Sequence, residues 1–219
     1  MRPIIFCDFD GTITDSDNII ALMKEFAPKG WERIANDVLQ KKVSISEGVG
    51  KMFSRMKSDL RQDMIDFVIR EAKIRPGFRE LLQFAQVQHI PFYVVSGGID
   101  FFVQPLLESY LELDHVYCNR ADFSGEYIRI DWPHTCDEQC SNDCGCCKPT
   151  IMRQLADDDH YKIVIGDSIT DLEAAKQADL VFARDFLIEK CRAEGIAFHP
   201  FETFFDCLTH LRTRLEVSV

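Results

Sequence analysis

The sequence predicts an α/β fold in which a mainly parallel sheet carries helices on both faces and a small all-helical cap follows the first strand. Short apolar runs alternate with segments of helical periodicity along most of the chain, which is typical of parallel sheets. Between Asn18 and Ile69 only helical periodicity occurs, which indicates an insert. We therefore predict an α/β core of residues 1–15 and 75–219 and a cap subdomain of residues 16–74.

The length and charge of the chain restrict its class of function. Its 219 residues allow one core with a subdomain, and the formal net charge of −11 argues against nucleic acid as a partner. No apolar run reaches the ~20 residues of a membrane span, and the chain enters a strand at once, without room for a signal peptide. We expect a cytoplasmic protein without a membrane partner, and the sequence predicts no particular oligomeric state.

The first strand and the insert differ in their hydrophobic period. Ile4–Cys7 is a short apolar run, as expected of a buried strand. The insert instead carries apolar stripes at helical spacing, namely Ile19, Leu22, Met23 and Phe26; Trp31, Ile34, Val38 and Leu39; Val49, Met52, Phe53 and Met56; and Leu60, Met64, Phe67 and Val68. Ser44 followed by Glu47 has the spacing of a capping box and predicts a helix start.

After the insert, helices and strands alternate, which predicts a Rossmann-like sheet. Buried strands are predicted at Phe92–Val95, Val116–Cys118, Lys162–Gly166 and Leu180–Ala183, and a small hairpin is predicted between residues 119 and 130 with its turn at 124–125. Helices are predicted near residues 78–85, 101–106, 151–155, 172–178 and 186–193, and from about residue 202.

Chemically active side chains follow three of the predicted strands. These are Asp8 with Asp10, Ser96 with Gly97 and Gly98, and Asp167 with Asp171, while Lys148 stands just before a predicted helix. Ligands of open α/β sheets bind at the carboxyl ends of the strands, so we expect these groups to converge. Adjacent carboxylates repel each other unless a cation offsets their charge, and a divalent ion that prefers oxygen ligands is the usual one.

Together these motifs resemble the haloacid dehalogenase superfamily of phosphohydrolases. The resemblance rests on Asp8-Phe9-Asp10-Gly11-Thr12, Ser96-Gly97-Gly98, Lys148 and Gly166-Asp167-Ser168-x-x-Asp171, whose order and spacing agree with the four motifs of that superfamily. The helical insert resembles the small cap of its phosphoserine-phosphatase-like branch. The resemblance implies a phosphoric monoester hydrolase that acts on a small phosphate ester.

The resemblance also implies a mechanism that uses three aspartates. Asp8 would attack phosphorus and form an aspartyl-phosphate, and Asp10 would protonate the leaving alcohol and then activate water. A carboxylate oxygen of Asp8, the backbone carbonyl of Asp10 and a carboxylate oxygen of Asp167 would hold Mg²⁺. The acid needs a raised pKa and the nucleophile a lower one, which unlike environments can provide.

Phosphate binding is implied for the two later motifs and for the lysine. The Ser96 hydroxyl and the Gly97 N–H would hold phosphate oxygens, and Lys148 would neutralise charge on the transferring group. Asp171 would support the site. It also stands three residues after Ser168, where it would close a capping box, and the two roles can coexist.

A narrower resemblance concerns the substrate. The insert and the segments Cys118-Asn119, Asp131–His134 and Cys144–Pro149 resemble a phosphatase family of methionine salvage that acts on an enol phosphate. Asp17 stands where phosphoserine phosphatases carry a glutamate that contacts the substrate amine, which puts phosphoserine in doubt. Asp17 and Phe53 are candidate specificity residues, since apolar cap residues could line a pocket for a methylthio tail or simply form the core of the helical bundle.

Other functions stay open from the residues alone. A phosphatase of phosphoserine or phosphocholine and a phosphotransferase or mutase would need the same motifs. A non-catalytic zinc or redox regulatory protein could have kept the fold without its activity.

A cysteine-rich stretch precedes Lys148. It contains His134, Cys136, Cys140, Cys144, Cys146 and Cys147, which exceed the four ligands of a structural zinc, although the spacings are not of the paired C-x-x-C type. Structural zinc, free thiols near the lysine and disulfides are all compatible with this pattern. In each case we expect the stretch to fix the loop that carries Lys148.

Overall fold

One seven-stranded sheet forms the centre of the structure, a computed structural model that describes residues 1–40, 42–140 and 143–216. Its strands are β1 (Arg2–Cys7), β2 (Phe92–Ile99), β3 (Val116–Asp122), β4 (Arg129–Asp131), β5 (His160–Gly166), β6 (Leu180–Ala183) and β7 (His199–Pro200). Their order is β4-β3-β2-β1-β5-β6-β7, and all neighbours are parallel except β3 and β4. β1 is therefore central, with β2 and β5 as its neighbours.

Ten α-helices accompany this sheet in the described part of the chain. They are α1 (Asn18–Phe26), α2 (Trp31–Leu39), α3 (Ile45–Phe53), α4 (Arg61–Glu71), α5 (Phe78–Val87), α6 (Asp100–Leu107), α7 (Lys148–Leu155), α8 (Leu172–Ala175), α9 (Asp185–Glu194) and α10 (Phe204–Glu216). In the described residues, no helix is long and apolar enough to cross a membrane.

Helices cover both faces of the sheet because successive strand residues point to opposite sides. In β1, Ile5 and Cys7 belong to the larger apolar cluster, which includes residues of α5, α6 and α10. Ile4 and Phe6 belong to a second cluster on the other face, which includes Ile151 of α7. The predicted α/β fold with a mainly parallel sheet is thus confirmed.

Several element boundaries differ from the prediction. β2 continues to Ile99, and its register with β3 shifts between Val95 and Ile99, so the predicted phosphate motif lies inside an irregular strand end. α7 begins at Lys148 itself, with Pro149 in the first turn, where a missing N–H costs nothing. The final helix begins at Phe204, and the two-residue strand β7 was not predicted.

The chain leaves the core after β1 and returns to it at one place. Thr14 and Ile74 form an isolated antiparallel bridge. The Asp15 N–H donates to the Lys73 carbonyl at 3.0 Å, and the Arg75 N–H donates to the Ile13 carbonyl at 2.8 Å. The two ends of the helical segment therefore lie side by side.

A second link joins the helical segment to the hairpin of β3 and β4. Lys57 forms an isolated bridge with Tyr127. The Ser58 N–H donates to the Glu126 carbonyl at 2.9 Å, and the Ile128 N–H donates to the Met56 carbonyl at 3.0 Å. The predicted hairpin is present, and its connecting loop contacts the segment between α3 and α4.

Candidate active site

A buried lysine lies between two carboxylates at the carboxyl edge of the sheet. The Lys148 ammonium donates to Asp8 Oδ1 at 2.5 Å and also to Asp171 Oδ1. The side chains of Lys148, Asp8 and Asp171 are 6%, 6% and 1% exposed. Ion pairs buried this deeply need well-placed partners, because an unpaired charge at such a site is strongly destabilising.

Asp171 also caps the helical turn that follows β5. Its Oδ2 accepts the N–H groups of Asp167 and Ser168, at 3.2 and 3.0 Å, and the Ser168 hydroxyl at 3.2 Å. Ser168 and Asp171 form the capping box that their spacing predicted. Both oxygens of Asp171 thus have hydrogen-bond donors, and the side chain orients Lys148 towards Asp8.

Three carboxylates form a compact acidic group beside the lysine. One oxygen each of Asp8, Asp167 and Asp171 lies within 4.8 Å of the others. Asp167 Oδ1 accepts the Thr12 hydroxyl at 3.1 Å. Burial and the charges of Asp8 and Asp171 raise the pKa of Asp167 to about 9. Clustered carboxylate oxygens are ligands that fit a hard divalent cation such as Mg²⁺.

Gly11 is required by this acidic group. Its φ is +80°, and a Cβ there would stand 2.3 Å from Asp167 Oδ2. A side chain at this position would be strained and would displace Asp167. The glycine thus lets the loop after β1 approach the loop after β5.

The two aspartates of the first motif have different surroundings. Asp8 accepts a hydrogen bond from the buried Lys148 ammonium. Asp10 Oδ1 instead accepts hydrogen bonds from the backbone N–H and the side-chain amide of Asn18, at 3.0 and 2.7 Å. Burial, with the nearby charge of Asp171, raises the pKa of Asp8 to about 6, although the Lys148 charge opposes the shift. Burial and the charge of Asp17 raise the pKa of Asp10 well above its usual range. Of the two carboxyls, Asp8 is the one in contact with a cation that opposes the rise.

The ammonium of Lys148 stays charged in this site. Burial lowers its pKa, but the charges of Asp171 and Asp8 outweigh that effect and raise the pKa above its ordinary value. A permanent positive charge next to Asp8 favours the ionised carboxylate there.

The phosphate motif predicted at the end of β2 borders the same region. Ser96 is fully buried, and its hydroxyl oxygen accepts the Gly98 N–H at 2.8 Å. A Cβ on Gly98 would stand 2.7 Å from Asp10 Oδ2, so this segment touches the first motif. Apart from the glycine and its two chain neighbours, no heavy atom of the described residues lies within 4 Å of the place where a Cβ on Gly97 would stand. Gly97 therefore faces open space next to the carboxylates.

Asn119 supports the phosphate motif from β3. Its side-chain amide donates to the Gly97 carbonyl at 2.8 Å, and the residue is 1% exposed. Its Oδ1 is a buried oxygen without a hydrogen-bond partner among the described residues. Such an acceptor is costly unless something donates to it.

The two candidate specificity residues have structural contacts. Asp17 Oδ1 accepts the Ile20 N–H at 2.9 Å and caps α1. Phe53 is fully buried at the end of α3, and its ring meets the Phe101 ring edge-on with centroids 6.2 Å apart. Phe101 stands three residues after Gly98, so the contact brings the insert close to the site. A role of either residue in specificity stays a prediction.

The cysteine-rich stretch places four of its six side chains together. All within 4.8 Å of one another lie the sulfur atoms of four cysteines, Cys136, Cys140, Cys144 and Cys147. His134 and Cys146 lie outside this group. The Cys146 thiol donates to the Tyr117 carbonyl at 3.8 Å and the His134 ring packs on the Tyr117 ring. All nine cysteines are free thiols. Cys144 and Cys147 do form one C-x-x-C pair, which the sequence reasoning overlooked.

Sequence reasoning assigned no role in the site to four residues that hold the motifs in place. They are Thr12, Asn18, Arg75 and Asn119. Arg75 donates to the carbonyls of Gly11 and Thr12 at 2.9 and 2.8 Å. The available signal was weak, because each is an ordinary polar residue whose partner is known only after folding.

Comparison with known proteins shows the family of the chain. The family model described as haloacid dehalogenase-like hydrolase matches residues 5–176. A protein of Geobacillus kaustophilus named 2-hydroxy-3-keto-5-methylthiopentenyl-1-phosphate phosphatase is 57% identical over 99% of this chain and 98% of its own length. A protein of the same name from Exiguobacterium sibiricum is 57% identical over 95% of this chain and 96% of its own length.

Solved structures show the same fold at low sequence identity. The phosphoserine phosphatase of T. onnurineus superposes with a TM-score of 0.71 at 17% identity, covering 96% of this chain and 94% of its own. The family match includes Asp8, Asp10, Ser96, Lys148 and Asp171, which the fold brings to one edge of the sheet. The chain therefore belongs to the haloacid dehalogenase-like hydrolase family.

Proposed function

We propose that the protein is a Mg²⁺-dependent phosphomonoesterase that works through an aspartyl-phosphate at Asp8, and that its substrate is 2-hydroxy-3-keto-5-methylthiopentenyl-1-phosphate of methionine salvage. The substrate is supported by one observation, the 57% identity over almost the whole length of a phosphatase named for it. The phosphatase chemistry is supported by the family and by the buried groups around Asp8.

Asp8 is the proposed nucleophile because of its position and its neighbour. It stands at the carboxyl end of the central strand, and Lys148 contacts its Oδ1. An Asp8 oxygen would form a bond to phosphorus while the bond from phosphorus to the substrate oxygen breaks. The Lys148 charge offsets negative charge that accumulates on the phosphoryl group, which is the main requirement in phosphoryl transfer.

Asp10 is the proposed acid and base. Its raised pKa keeps a proton on the carboxyl that can pass to the departing substrate oxygen. The resulting carboxylate then takes a proton from water, which attacks phosphorus and releases Asp8 and inorganic phosphate. Asn18 orients the carboxyl through two donors to Oδ1 and so fixes the direction of transfer.

The acidic group supports a Mg²⁺ site with the ligands of the family. The carboxylates of Asp8 and Asp167 and the Asp10 carbonyl would hold the ion, while Asp171 is occupied by Lys148 and by backbone donors. When bound, Mg²⁺ supplies positive charge that neutralises the substrate phosphate and favours the ionised form of Asp8.

Phosphate recognition and substrate choice belong to separate parts of the proposed site. The Ser96 hydroxyl and the backbone at Gly97 would contact phosphate oxygens, since Gly97 faces open space beside Asp10. Residues 16–74 would act as the cap over the organic part of the ester. Asp17 and the apolar neighbourhood of Phe53 and Phe101 are the parts of that cap proposed to select the substrate.

We place the reaction in the cytoplasm. The nine free thiols fit a reducing compartment, and the named substrate is a small metabolite. The proposed reaction itself needs no zinc, so the thiol group before Lys148 has no direct part in it.

Substrate identity is tested by measuring kcat/KM of the purified chain with Mg²⁺. The enol phosphate, phosphoserine and phosphocholine are compared under the same conditions. We expect kcat/KM for the enol phosphate to exceed the values for the other two esters by at least about 10²-fold. The competing esters lack the apolar tail, and binding would bury their ammonium charge. Fastest turnover of phosphoserine would overturn the proposed substrate.

The nucleophile is tested with Asp8→Asn and with the exposed control Asp158→Asn. Asp8→Asn is expected to lower kcat by at least about 10³-fold without changing the circular dichroism spectrum, because an amide oxygen is a poor nucleophile. Acid-quenched wild-type enzyme should carry one phosphoryl group on the peptide that contains Asp8. Unchanged activity in Asp8→Asn, or phosphate on another peptide, rejects the mechanism.

A further inference from the structure

A group of four thiols lies in the loop between β4 and α7, apart from the carboxylates. We propose that Cys136, Cys140, Cys144 and Cys147 bind one structural Zn²⁺, and that the ion fixes the loop that places Lys148 against Asp8. This inference does not depend on the identity of the substrate.

The sulfur positions fit a single tetrahedral ion. All four sulfurs lie within 4.8 Å of one another, and the Sγ atoms of Cys140 and Cys144 are 3.9 Å apart. With a Zn–S bond of about 2.3 Å, the edges of a regular tetrahedron of thiolates are about 3.8 Å long. The group can therefore close around zinc with small movements.

Other uses of four thiols fit this arrangement less well. A disulfide would bring two sulfurs to about 2.05 Å and would pair the cysteines two by two, whereas here all four are mutual neighbours and free. In an iron–sulfur cluster the thiolates bind different iron atoms, which spreads the sulfurs further apart. Four soft ligands around one centre are the typical donor set of structural zinc.

Polar contacts around the thiols resemble the outer shell of a metal site. The Thr150 hydroxyl donates to Cys147 Sγ at 3.0 Å, and Thr150 Oγ1 in turn accepts the Asp137 N–H at 3.1 Å. Arg153 donates to both carboxylate oxygens of Asp137, at 2.9 and 2.6 Å. Such contacts orient ligands and support the negative charge of a tetrathiolate site.

The position of the group explains why an ion is useful there. Cys147 directly precedes Lys148, the first residue of α7, and residues 132–140 and 143–147 contain no helix or strand. In the described part of this loop, one longer-range backbone hydrogen bond holds the end, from the Cys147 N–H to the His134 carbonyl at 2.8 Å, and the other backbone bonds are local. Binding converts four thiols to thiolates, releases four protons to solvent, and links both halves of the loop through one ion.

The direct test is the metal content of the purified full-length protein. We expect about one zinc per chain by elemental analysis, released when all thiols are titrated with a mercurial reagent. Cys144→Ser should lose at least about half of the zinc. Cys146→Ala, in the same loop but outside the group, should keep it. Substitution by Co²⁺ should give the visible bands of a tetrahedral thiolate site in the wild type and in Cys146→Ala.

The effect on the loop is measured by hydrogen exchange. Removal of zinc should increase amide exchange in residues 133–152 by at least about tenfold while leaving β1 unchanged. A metal-free protein with nine titratable thiols, a protein with fewer thiols because disulfides have formed, or iron in place of zinc would each overturn the proposal. None of these readouts uses turnover, so a wrong substrate would not affect them.

Discussion

The strand ends and the helical segment 16–74 are built by different forces. At the strand ends several buried side chains are polar, and Lys148, Asp8 and Asp171 among them have defined partners. In residues 16–74 the buried side chains are almost all apolar, and Asn18 is the buried polar residue there among the described positions. Directional contacts fix the charged side chains at the strand ends, whereas apolar packing in residues 16–74 is non-directional and tolerates changes of shape.

We expect the largest effect from a substitution that removes the positive charge at the centre of the site. Lys148→Met leaves Asp8 and Asp171 buried without their cation, so kcat should fall by at least about 10³-fold and the free energy of unfolding by about 3–5 kcal/mol. Kinetics and urea unfolding measure the two effects. The exposed Lys176→Met should change neither, and a stable, active Lys148→Met would contradict the proposed role.

The next effect concerns the residue that connects the two regions. Asn18→Ala removes one donor from Asp10, whose pKa is then expected to rise because the lost contact favours the ionised form. We expect kcat to fall by about tenfold and the alkaline limb of its pH profile to move to higher pH. The exposed Asn36→Ala is the control within the same segment. An unchanged profile would show that Asn18 supports only α1.

The acidic group predicts how stability depends on pH and Mg²⁺. In the folded protein the pKa of Asp167 is raised to about 9 and that of Asp8 to about 6. Below these values the metal-free folded protein binds more protons than the unfolded chain. Its free energy of unfolding therefore falls as pH rises towards them. Mg²⁺ needs the ionised carboxylates, so its increase of the melting temperature should be larger at about pH 8.5 than at about pH 6. Scanning fluorimetry measures the difference. The dependence should vanish in Asp167→Asn, and an equal increase at both pH values would argue against this metal site.

The smallest effect is a change in substrate preference. Phe53→Leu alters the packing on Phe101 beside the phosphate motif, and we expect the ratio of kcat/KM between the enol phosphate and phosphoserine to change by about tenfold. Phe26→Leu alters a similar pair of rings, Phe26 and Phe67, within the helical segment. Like Phe53→Leu, this control should lower the free energy of unfolding by ~1–2 kcal/mol, but it should leave the ratio of the two kcat/KM values unchanged. The same ratio of kcat/KM values in Phe53→Leu and Phe26→Leu would contradict a role of Phe53 in substrate preference.

The strand ends could be predicted from the sequence because strand periodicity and sheet geometry together place their side chains. Asp8, Ser96 and Asp167 follow apolar runs, and parallel strands bring such positions to one edge. The supporting contacts could not be predicted in this way. Asn18 reaches Asp10 only because α1 starts against the loop after β1, and Asn119 reaches Gly97 only because β2 is irregular beside β3.

The cysteine-rich stretch shows a different limit of sequence reasoning. Its composition predicted a group of thiols but not its membership, since Cys146 points to Tyr117 and leaves the group while Cys136 joins it. Alternation along an irregular loop follows no fixed period. Only the folded chain shows which sulfurs face each other.

The crossing of Thr14 and Ile74 has a consequence for how such enzymes diversify. The two chain ends lie side by side there, and Arg75 holds the loop carbonyls of Gly11 and Thr12 from the core side of the crossing. A segment of different length or shape could connect these two points, because the hydrogen bonds from Arg75 to the two carbonyls do not involve the segment itself. If the helical segment selects the substrate as we propose, exchange of the segment at this junction would change the substrate while the carboxylates of the strand ends keep their positions.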